Sequence, residues 1–303
     1  MKIAVIGAGA MGSLYGGYLS RIMPEVYLVD IWQQHVDEIN KNGLIIQEKD
    51  ESIRISPGAV TDSACLGFAD LVIVFVKSYL TDRALEMNKS LLGHDTIVLS
   101  LQNGYGNIEK IAKHVHINNI IAGTTAHGAT MLSPGIIKHG GIGETHIGWV
   151  KNKDDKRIDE IAAVLKKAGF DTSVSLNVME LIWSKLIINV GINALTAVLK
   201  VKNGELLNME ETRKLMDMAV LEAVNVAEKA GIRFNGDDMV KKVKEVALAT
   251  AENKSSMLQD ILNKRKTEID TINGAIVNEG KKCSIETPVN MVLANLVKAL
   301  ENK

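Results

Sequence analysis

The chain has few cysteines, no charge imbalance and no long apolar run, and each shortage removes a class of protein. Cys65 and Cys283 are the only cysteines in 303 residues. Two thiols so far apart form neither a disulfide framework nor a C-x-x-C site, and they fit a reducing cytoplasm. Lys and Arg total 35 against 36 Asp and Glu, for a net charge of −1. Nucleic-acid binders carry a basic excess or stripe, so nucleic acid is not an expected partner. The longest uncharged apolar stretch, Leu186 to Leu199, lies between Lys185 and Lys200 and is too short to span a bilayer. The opening Met1-Lys2-Ile3-Ala4-Val5-Ile6 runs directly into glycines instead of building a signal-peptide core. No membrane is therefore expected, and the location should be cytoplasmic. The seven histidines show no H-E-x-x-H or similar ligand spacing, so no metal is expected.

What is present is an ordinary globular composition, 46% hydrophobic and 23% charged. Its length corresponds to about two domains of ~150 residues. In the first half, short apolar runs alternate with helical stretches. Residues 2–6, 25–30, 71–76, 96–101 and 119–122 read as strands, and 10–21 and 32–42 as helices. Such alternation implies βαβ units and a parallel sheet. Residues 43–47 and 52–55 read as a small hairpin. The Gly-, Thr- and His-rich residues 124–150 read as antiparallel structure added to the sheet, followed by a helix at 154–168 and a strand at 170–174. From about Asn177 only helical periodicity remains, over 178–199, 205–231, 236–252, 267–281 and 287–302. The predicted division is residues 1–175 and 176–303.

Gly7-Ala8-Gly9-Ala10-Met11-Gly12 is a G-x-G-x-x-G stretch directly after a strand and opening a helix. In that context Gly7 permits the tight turn, Gly9 lets the backbone approach a pyrophosphate, and Gly12 lets helix and strand pack closely. Free N–H groups and the positive helix end then face the phosphates. Asp30 ends the second strand, where a carboxylate accepts from ribose hydroxyls and repels a 2′-phosphate. No Arg or Lys occurs in the next five residues, so local chemistry favours NADH over NADPH. A second reading of Asp30, as the N-cap of the next helix, is compatible with that role. Lys77 and Asn103 follow two further apolar strands, at the end of the sheet where ligands bind. The alternatives are a solvated loop lysine and an Asn-Gly turn. The fold expected is α/β: a Rossmann-type dinucleotide-binding domain, then an all-helical substrate and catalytic domain.

Residues 181–196 form an apolar helix interrupted at Lys185, Asn189 and Asn193. Four residues advance about 400°, so the three share one face. A lysine and two carboxamides are costly to bury without partners, so this face is either solvated or a site. In a semi-apolar cleft the lysine loses solvation, its pKa falls toward neutral, and it becomes a usable general acid. Downstream, Thr267-x-x-Asp270 resembles a capping box that would start a helix at Thr267, with Glu268 in its first turn. Ser256 reads either as a helix cap or as a ligand group.

At these residues the chain resembles the ketopantoate reductases (2-dehydropantoate 2-reductases). The resemblance rests on the N-terminal glycine loop, Leu101-Gln102-Asn103-Gly104-Tyr105-Gly106, and Trp183-x-Lys185-x-x-x-Asn189-x-x-x-Asn193. Asn203-Gly204-Glu205-Leu206, Ser255-Ser256-Met257-Leu258-Gln259-Asp260 and Thr267-Glu268-Ile269-Asp270 complete it, over essentially the whole length. It implies that Lys185 is the general acid that protonates the substrate carbonyl and that Glu268 is its acidic partner. It implies substrate contacts from Asn103, Asn189, Asn193, Asn203, Asn253 and Ser256. It also places Lys77 and Asn103 near the cofactor, while family members using NADPH often carry a basic residue close to the position of Asp30. The full set expected at the cofactor is Gly7, Ala8, Gly9, Ala10, Met11, Gly12, Asp30, Lys77, Asn103, Ala122 and Glu268.

The function expected is NAD(P)H-dependent reduction of ketopantoate to (R)-pantoate, on the path to pantothenate and coenzyme A. Two rivals stand beside it. One is a relative on the same fold that reduces another branched or aromatic 2-keto acid; the other is a catalytically silent dinucleotide sensor. The long apolar helices of the second half suit either a homodimer face or a core.

Overall fold

Ile3–Ile6 is a run of four apolar residues, all buried, and it forms β1. A strand apolar on both faces belongs inside a sheet that is covered on both sides. The computed structural model describes residues 1–151 and 154–302. The chain divides into two compact units, one of Met1–Gln102 with Asn107–Val178, the other of Asn103–Gly106 with Met179–Lys303.

The first unit continues from β1 with α1 (Ala10–Ser20), β2 (Val26–Val29), α2 (Gln33–Asn42), β3 (Leu44–Gln47), β4 (Ser52–Ile55) and β5 (Gly58–Val60). Then come β6 (Leu71–Val74), α3 (Thr81–Met87), β7 (Ile97–Ser100), α4 (Asn107–Ile111) and β8 (Ile120–Thr125). The unit ends with β9 (Gly128–Ser133), β10 (Ile136–Gly141), β11 (Thr145–Trp149), α5 (Arg157–Lys167) and β12 (Thr172–Val174). The main sheet has the order β12-β11-β8-β7-β6-β1-β2-β5. From β8 to β5 every pairing is parallel, so all those carboxyl ends share one edge. Val29, Ile6, Val74, Ser100 and Ala122 lie side by side in one row near it.

The antiparallel addition expected at 124–150 is only partly what forms. β11 does join β8 antiparallel. β9 and β10 instead pair with β3 and β4 in a separate sheet of order β4-β3-β10-β9. Packing explains the split, because α1 is apolar enough to be covered twice. A Cβ on Gly16 would strike the Leu28 side chain of the main sheet, and one on Gly17 would come within 2.9 Å of Leu44 in the small sheet. The helix after the glycine loop is therefore sandwiched, and the loop inherits that rigidity.

The second unit is built of α6 (Val178–Leu199), α7 (Glu210–Lys229), α8 (Gly236–Ala249), α9 (Ser256–Leu262), α10 (Asn273–Lys282) and α11 (Pro288–Glu301). Trp183, Leu186, Ile187, Val190 and Leu195 of α6 join Met216, Val220, Val243, Ile276 and Val297 in one core. Gly191 allows the close crossing, since a Cβ there would lie 2.8 Å from Val243 and 2.9 Å from Val220. α6 has the length and apolarity to cross a membrane, yet 67% of its most apolar window is buried in the protein. It is the central helix of this core.

Two helix expectations fail here. No helix starts at Thr267: residues 269–271 make one 3₁₀ turn, and α10 begins at Asn273. The capping box does not close because the Thr267 donors are taken by Glu301. Ile272, at φ −109° and ψ −98°, then breaks the path into α10. The short helix α9 has no counterpart among the expected elements, and its cap is Ser255 rather than Ser256.

Candidate active site

On the sheet edge of the first unit, Gly7 has φ +91°, a left-handed conformation that disfavours side chains. Its N–H donates to Val29 O at 2.8 Å, which ties the loop to β2. A Cβ on Gly12 would fall on Gly7 O, so glycine is required for the turn itself. Gly9 differs: nothing lies within 4 Å of its absent Cβ, and it is exposed at the start of α1. That combination leaves bare backbone facing open space, which suits a pyrophosphate.

Asp30 follows β2, and its Oδ1 accepts the Trp32 N–H at 2.9 Å. It caps the turn before α2 but is not that helix's N-cap residue, which is Trp32. Ile31 is 77% exposed and carries no charge to offset Asp30. Lys77 is half-buried just beyond β6. The Gln102 amide fixes this corner, donating to Val76 O at 2.7 Å and Thr81 Oγ1 at 2.8 Å. Ala122 lies in the row near this edge but is 2% exposed, within the sheet rather than on a loop.

His35 fastens the glycine loop from behind. Its Nδ1 accepts the Gly135 N–H at 2.9 Å, so its Nε2–H faces Ser13 Oγ at 3.1 Å. Ser13 in turn donates to Ala8 O at 2.8 Å. Burial holds the His35 pKa below its ordinary value, which keeps the ring neutral for this role.

In the second unit, Lys185, Asn189 and Asn193 do share one face of α6. Lys185 and Asn189 are half-buried and Asn193 is buried. Burial pulls the Lys185 pKa down from 10.5 to about 8, against an opposing pull from the Glu268 charge. Glu268 is 7% exposed and sits just before the 3₁₀ turn. Among the described residues, neither the Asn189 nor the Asn193 carboxamide has a hydrogen-bond partner, which leaves them for a ligand.

Asn103 joins this group because Asn103–Gly106 belongs to the second unit. Gly104 has φ +82°, and a Cβ there would come within 2.7 Å of Thr271 O. The Tyr105 N–H donates to the same carbonyl at 2.8 Å. Thr271 donates both N–H, at 3.0 Å, and hydroxyl, at 3.1 Å, to Glu268 O. The Asn-Gly pair is thus a turn, and the turn docks beside Glu268.

Thr196 and Ser255 were missed by the sequence reading. Thr196 is eleven residues after Lys185, about 20° off its direction, so it shares the polar face. Its hydroxyl donates to Ile192 O or Asn193 O, at 3.0 and 2.9 Å. Its oxygen therefore accepts from Ser255, 2.7 Å away. Ser255 also accepts the Leu258 N–H at 3.0 Å as the cap of α9. This buried pair brings exposed Ser256 and Asn253 alongside the α6 face. Asn203 is set deeper: it is 7% exposed, its N–H donates to Asn253 O at 3.0 Å, and its amide donates to Thr250 at 2.9 Å. Its Oδ1 is buried without a partner. The i, i+11 spacing of Thr196 was the available signal; the Ser255 contact had none. Among the described residues no cluster of His, Cys, Asp and Glu has metal-binding geometry.

Two family models match the chain. One, described as ketopantoate reductase PanE/ApbA, matches residues 3–152; the other, described as ketopantoate reductase PanE/ApbA C terminal, matches residues 177–301. The 2-dehydropantoate 2-reductase of Halobacterium salinarum is 37% identical over 300 residues, covering 98% of this chain and 98% of its own. A solved D-mandelate dehydrogenase, in a ternary structure with NADH and anilino(oxo)acetate, is similar with a TM-score of 0.95 and 32% identity, over 100% of this chain and 98% of that one. A PanE/ApbA family ketopantoate reductase from Ralstonia eutropha JMP134 is similar with a TM-score of 0.91 and 32% identity, over 100% and 99%.

Proposed function

This chain belongs to the ketopantoate reductase family, and on that premise we propose that it reduces 2-dehydropantoate to (R)-pantoate with a reduced nicotinamide dinucleotide. The observation that carries the reading is Lys185, brought to a pKa of about 8 on a polar face beside Glu268. Near pH 7 such a lysine is protonated about ten to one, yet it gives up its proton far more readily than an ordinary lysine.

The residues on the sheet edge fit the cofactor: Gly9 opens bare backbone to a pyrophosphate, and Asp30 offers a carboxylate oxygen to ribose hydroxyls. The bound nicotinamide supplies hydride to the keto carbon, and the rest of the chemistry is the protein's. Lys185 Nζ holds the proton that the carbonyl oxygen takes as charge develops there. Glu268 orients Lys185 and the substrate hydroxyl. Asn189 and Asn193 hold the hydroxyl and carbonyl side, Asn253 and Ser256 the carboxylate, with Asn103 beside the reacting carbon and Asn203 behind Asn253. Gly7 to Gly12, Asp30, Lys77 and Ala122 serve the cofactor. The enzyme is read as cytoplasmic; both cysteines are free.

We read the cofactor as NADH. A 2′-phosphate beside Asp30 meets like charge at a cost of about 1–3 kcal/mol at an intermediate dielectric, roughly 5- to 150-fold in affinity. Asp30→Ser with Ile31→Arg should move kcat/KM toward NADPH. A clear NADPH preference in the unmodified protein overturns the assignment.

The similarity to D-mandelate dehydrogenase favours one second reading, an aromatic 2-keto acid as substrate. Steady-state kcat/KM on ketopantoate, 2-ketoisovalerate and phenylglyoxylate decides it. Ketopantoate should rank first, and phenylglyoxylate in that place would replace the first reading by the second.

A further inference from the structure

Thr267 precedes Glu268, and both its donors go to one side chain. Its N–H reaches Glu301 Oε1 at 2.7 Å, and its hydroxyl reaches the same oxygen at 2.6 Å. Its own Oγ1 accepts the Ile269 N–H at 3.1 Å, across Glu268. Thr267 is 1% exposed and Glu301 half-buried, and a carboxylate acceptor makes such bonds about twice as strong as neutral ones. One turn back along α11, Lys298 pairs with Asp270 at 2.6 Å. That pair is half exposed and adds little by itself.

The segment around Glu268 has weak means of holding itself. Its only regular structure is the three-residue 3₁₀ turn, and Ile272 interrupts any continuation into α10. On the far side Thr271 is held by the 103–106 loop. On the near side the hold comes from the last turn of α11.

We propose that Glu301 is a positioning residue for the reductase chemistry: by clamping Thr267 it sets where the Glu268 carboxylate stands relative to Lys185. The inference rests on reading Lys185 and Glu268 as the catalytic pair. The charged groups around this turn are Arg265 and Lys266 just before Thr267, Lys185 from α6, Asp270 on the turn itself, and Lys298 and Glu301 from α11. Glu301 touches Thr267 and acts on Lys185 only through Glu268.

The test compares Glu301→Ala with Glu301→Gln in the full chain, reading the pH profile of kcat/KM with NADH and the best keto acid. Unmodified protein and Lys185→Ala run alongside. Glu301→Ala frees Thr267, and a displaced Glu268 should lower kcat by about tenfold, the scale of a misplaced catalytic group. The basic limb should also move to lower pH, because Lys185 loses part of the charge that favours its protonated form. Dinucleotide affinity should stay unchanged. Glu301→Gln keeps an oxygen for both Thr267 donors, so its profile should follow the unmodified protein.

A basic limb that stays in place in Glu301→Ala overturns the proposal. Equal shifts in Ala and Gln also overturn it, since they would mean that the charge acts through space. Should Glu301→Ala fail to fold, Thr267→Ser and Thr267→Val repeat the comparison from the other end, with Ser expected to keep the limb and Val to lose it. If neither Ala nor Val folds, the contact is purely structural and the proposal falls. Failure of the underlying reading looks different: Lys185→Ala would keep its turnover, or the unmodified protein would reduce no 2-keto acid.

Discussion

The dinucleotide edge of the first unit and the polar face of the second are built by opposite means. In the glycine loop, the groups proposed to hold phosphate are backbone N–H groups, and side chains are kept away from the turn. Gly7 and Gly12 are glycine because a Cβ has no room, whereas a Cβ on Gly9 would meet only open space, the space proposed for the pyrophosphate. On the α6 face every proposed group is a side chain, and those side chains arrive from five segments: α6, the 103–106 loop, the 203–207 turn, the 253–256 cap and the 267–271 turn. A backbone site is compact in sequence because neighbouring peptides make it. A side-chain site is scattered, because converging atoms must come from different directions and each needs its own support. Thr196 with Ser255, and Glu301 with Thr267, are such supports.

Substitutions break the two sites differently. The largest effect should come from Lys185→Ala, which removes the proposed proton donor and leaves the glycine loop intact. The expected loss in kcat is on the order of 10²–10⁴, with dinucleotide affinity unchanged. Near-normal turnover would show that the proton comes from elsewhere.

Next comes the glycine pair. Gly12→Ala places a methyl against Gly7 O, an overpacking cost of about 1–3 kcal/mol. It should lower Tm by the several degrees that such a cost implies, and weaken dinucleotide binding with it. Gly9→Ala should leave Tm alone and weaken only binding, because its Cβ meets nothing in the protein. Calorimetry and a binding titration on both variants sharpen the contrast. Native-like affinity in Gly9→Ala would remove the pyrophosphate from that space.

A tenfold effect is expected from pH alone. With the Lys185 pKa near 8, the acid form dominates below that value and is lost above it. At pH 9 about one tenth remains protonated, so kcat for keto acid reduction should fall about tenfold from its plateau. A profile flat to pH 10 would place the donor's pKa at the ordinary lysine value.

The smallest change should be Ser256→Ala. If its exposed hydroxyl holds the substrate carboxylate in ground and transition states alike, as proposed, its loss should raise KM roughly three- to tenfold and spare kcat. An unchanged KM would leave Ser256 with no part in substrate binding.

The supports also show where reading the chain stops. The 267–270 pattern has capping-box chemistry, yet no helix follows, because an acceptor 34 residues away takes the Thr267 donors. Residues 124–150 have the composition of added antiparallel strands, but whether 128–141 extend the main sheet or build a second one depends on α1 having two apolar sides. The α9 helix spans only seven residues, too short for its periodicity to stand out.

The sequence by itself determined whatever is local. The strand, glycine loop and helix at the N-terminus are one continuous signal, and so is Asp30 at the end of the next strand. The i, i+4, i+8 face of Lys185, Asn189 and Asn193 follows from helix geometry alone. Tertiary structure decided what depends on distance between remote residues: the Lys185 pKa, the docking of Asn103 beside Glu268, the cap at Ser255 and the hold of Glu301 on Thr267. The physical reason is range. Backbone dihedrals and helical period act over a few residues, whereas desolvation, charge and buried hydrogen bonds act between whatever the packed core brings together.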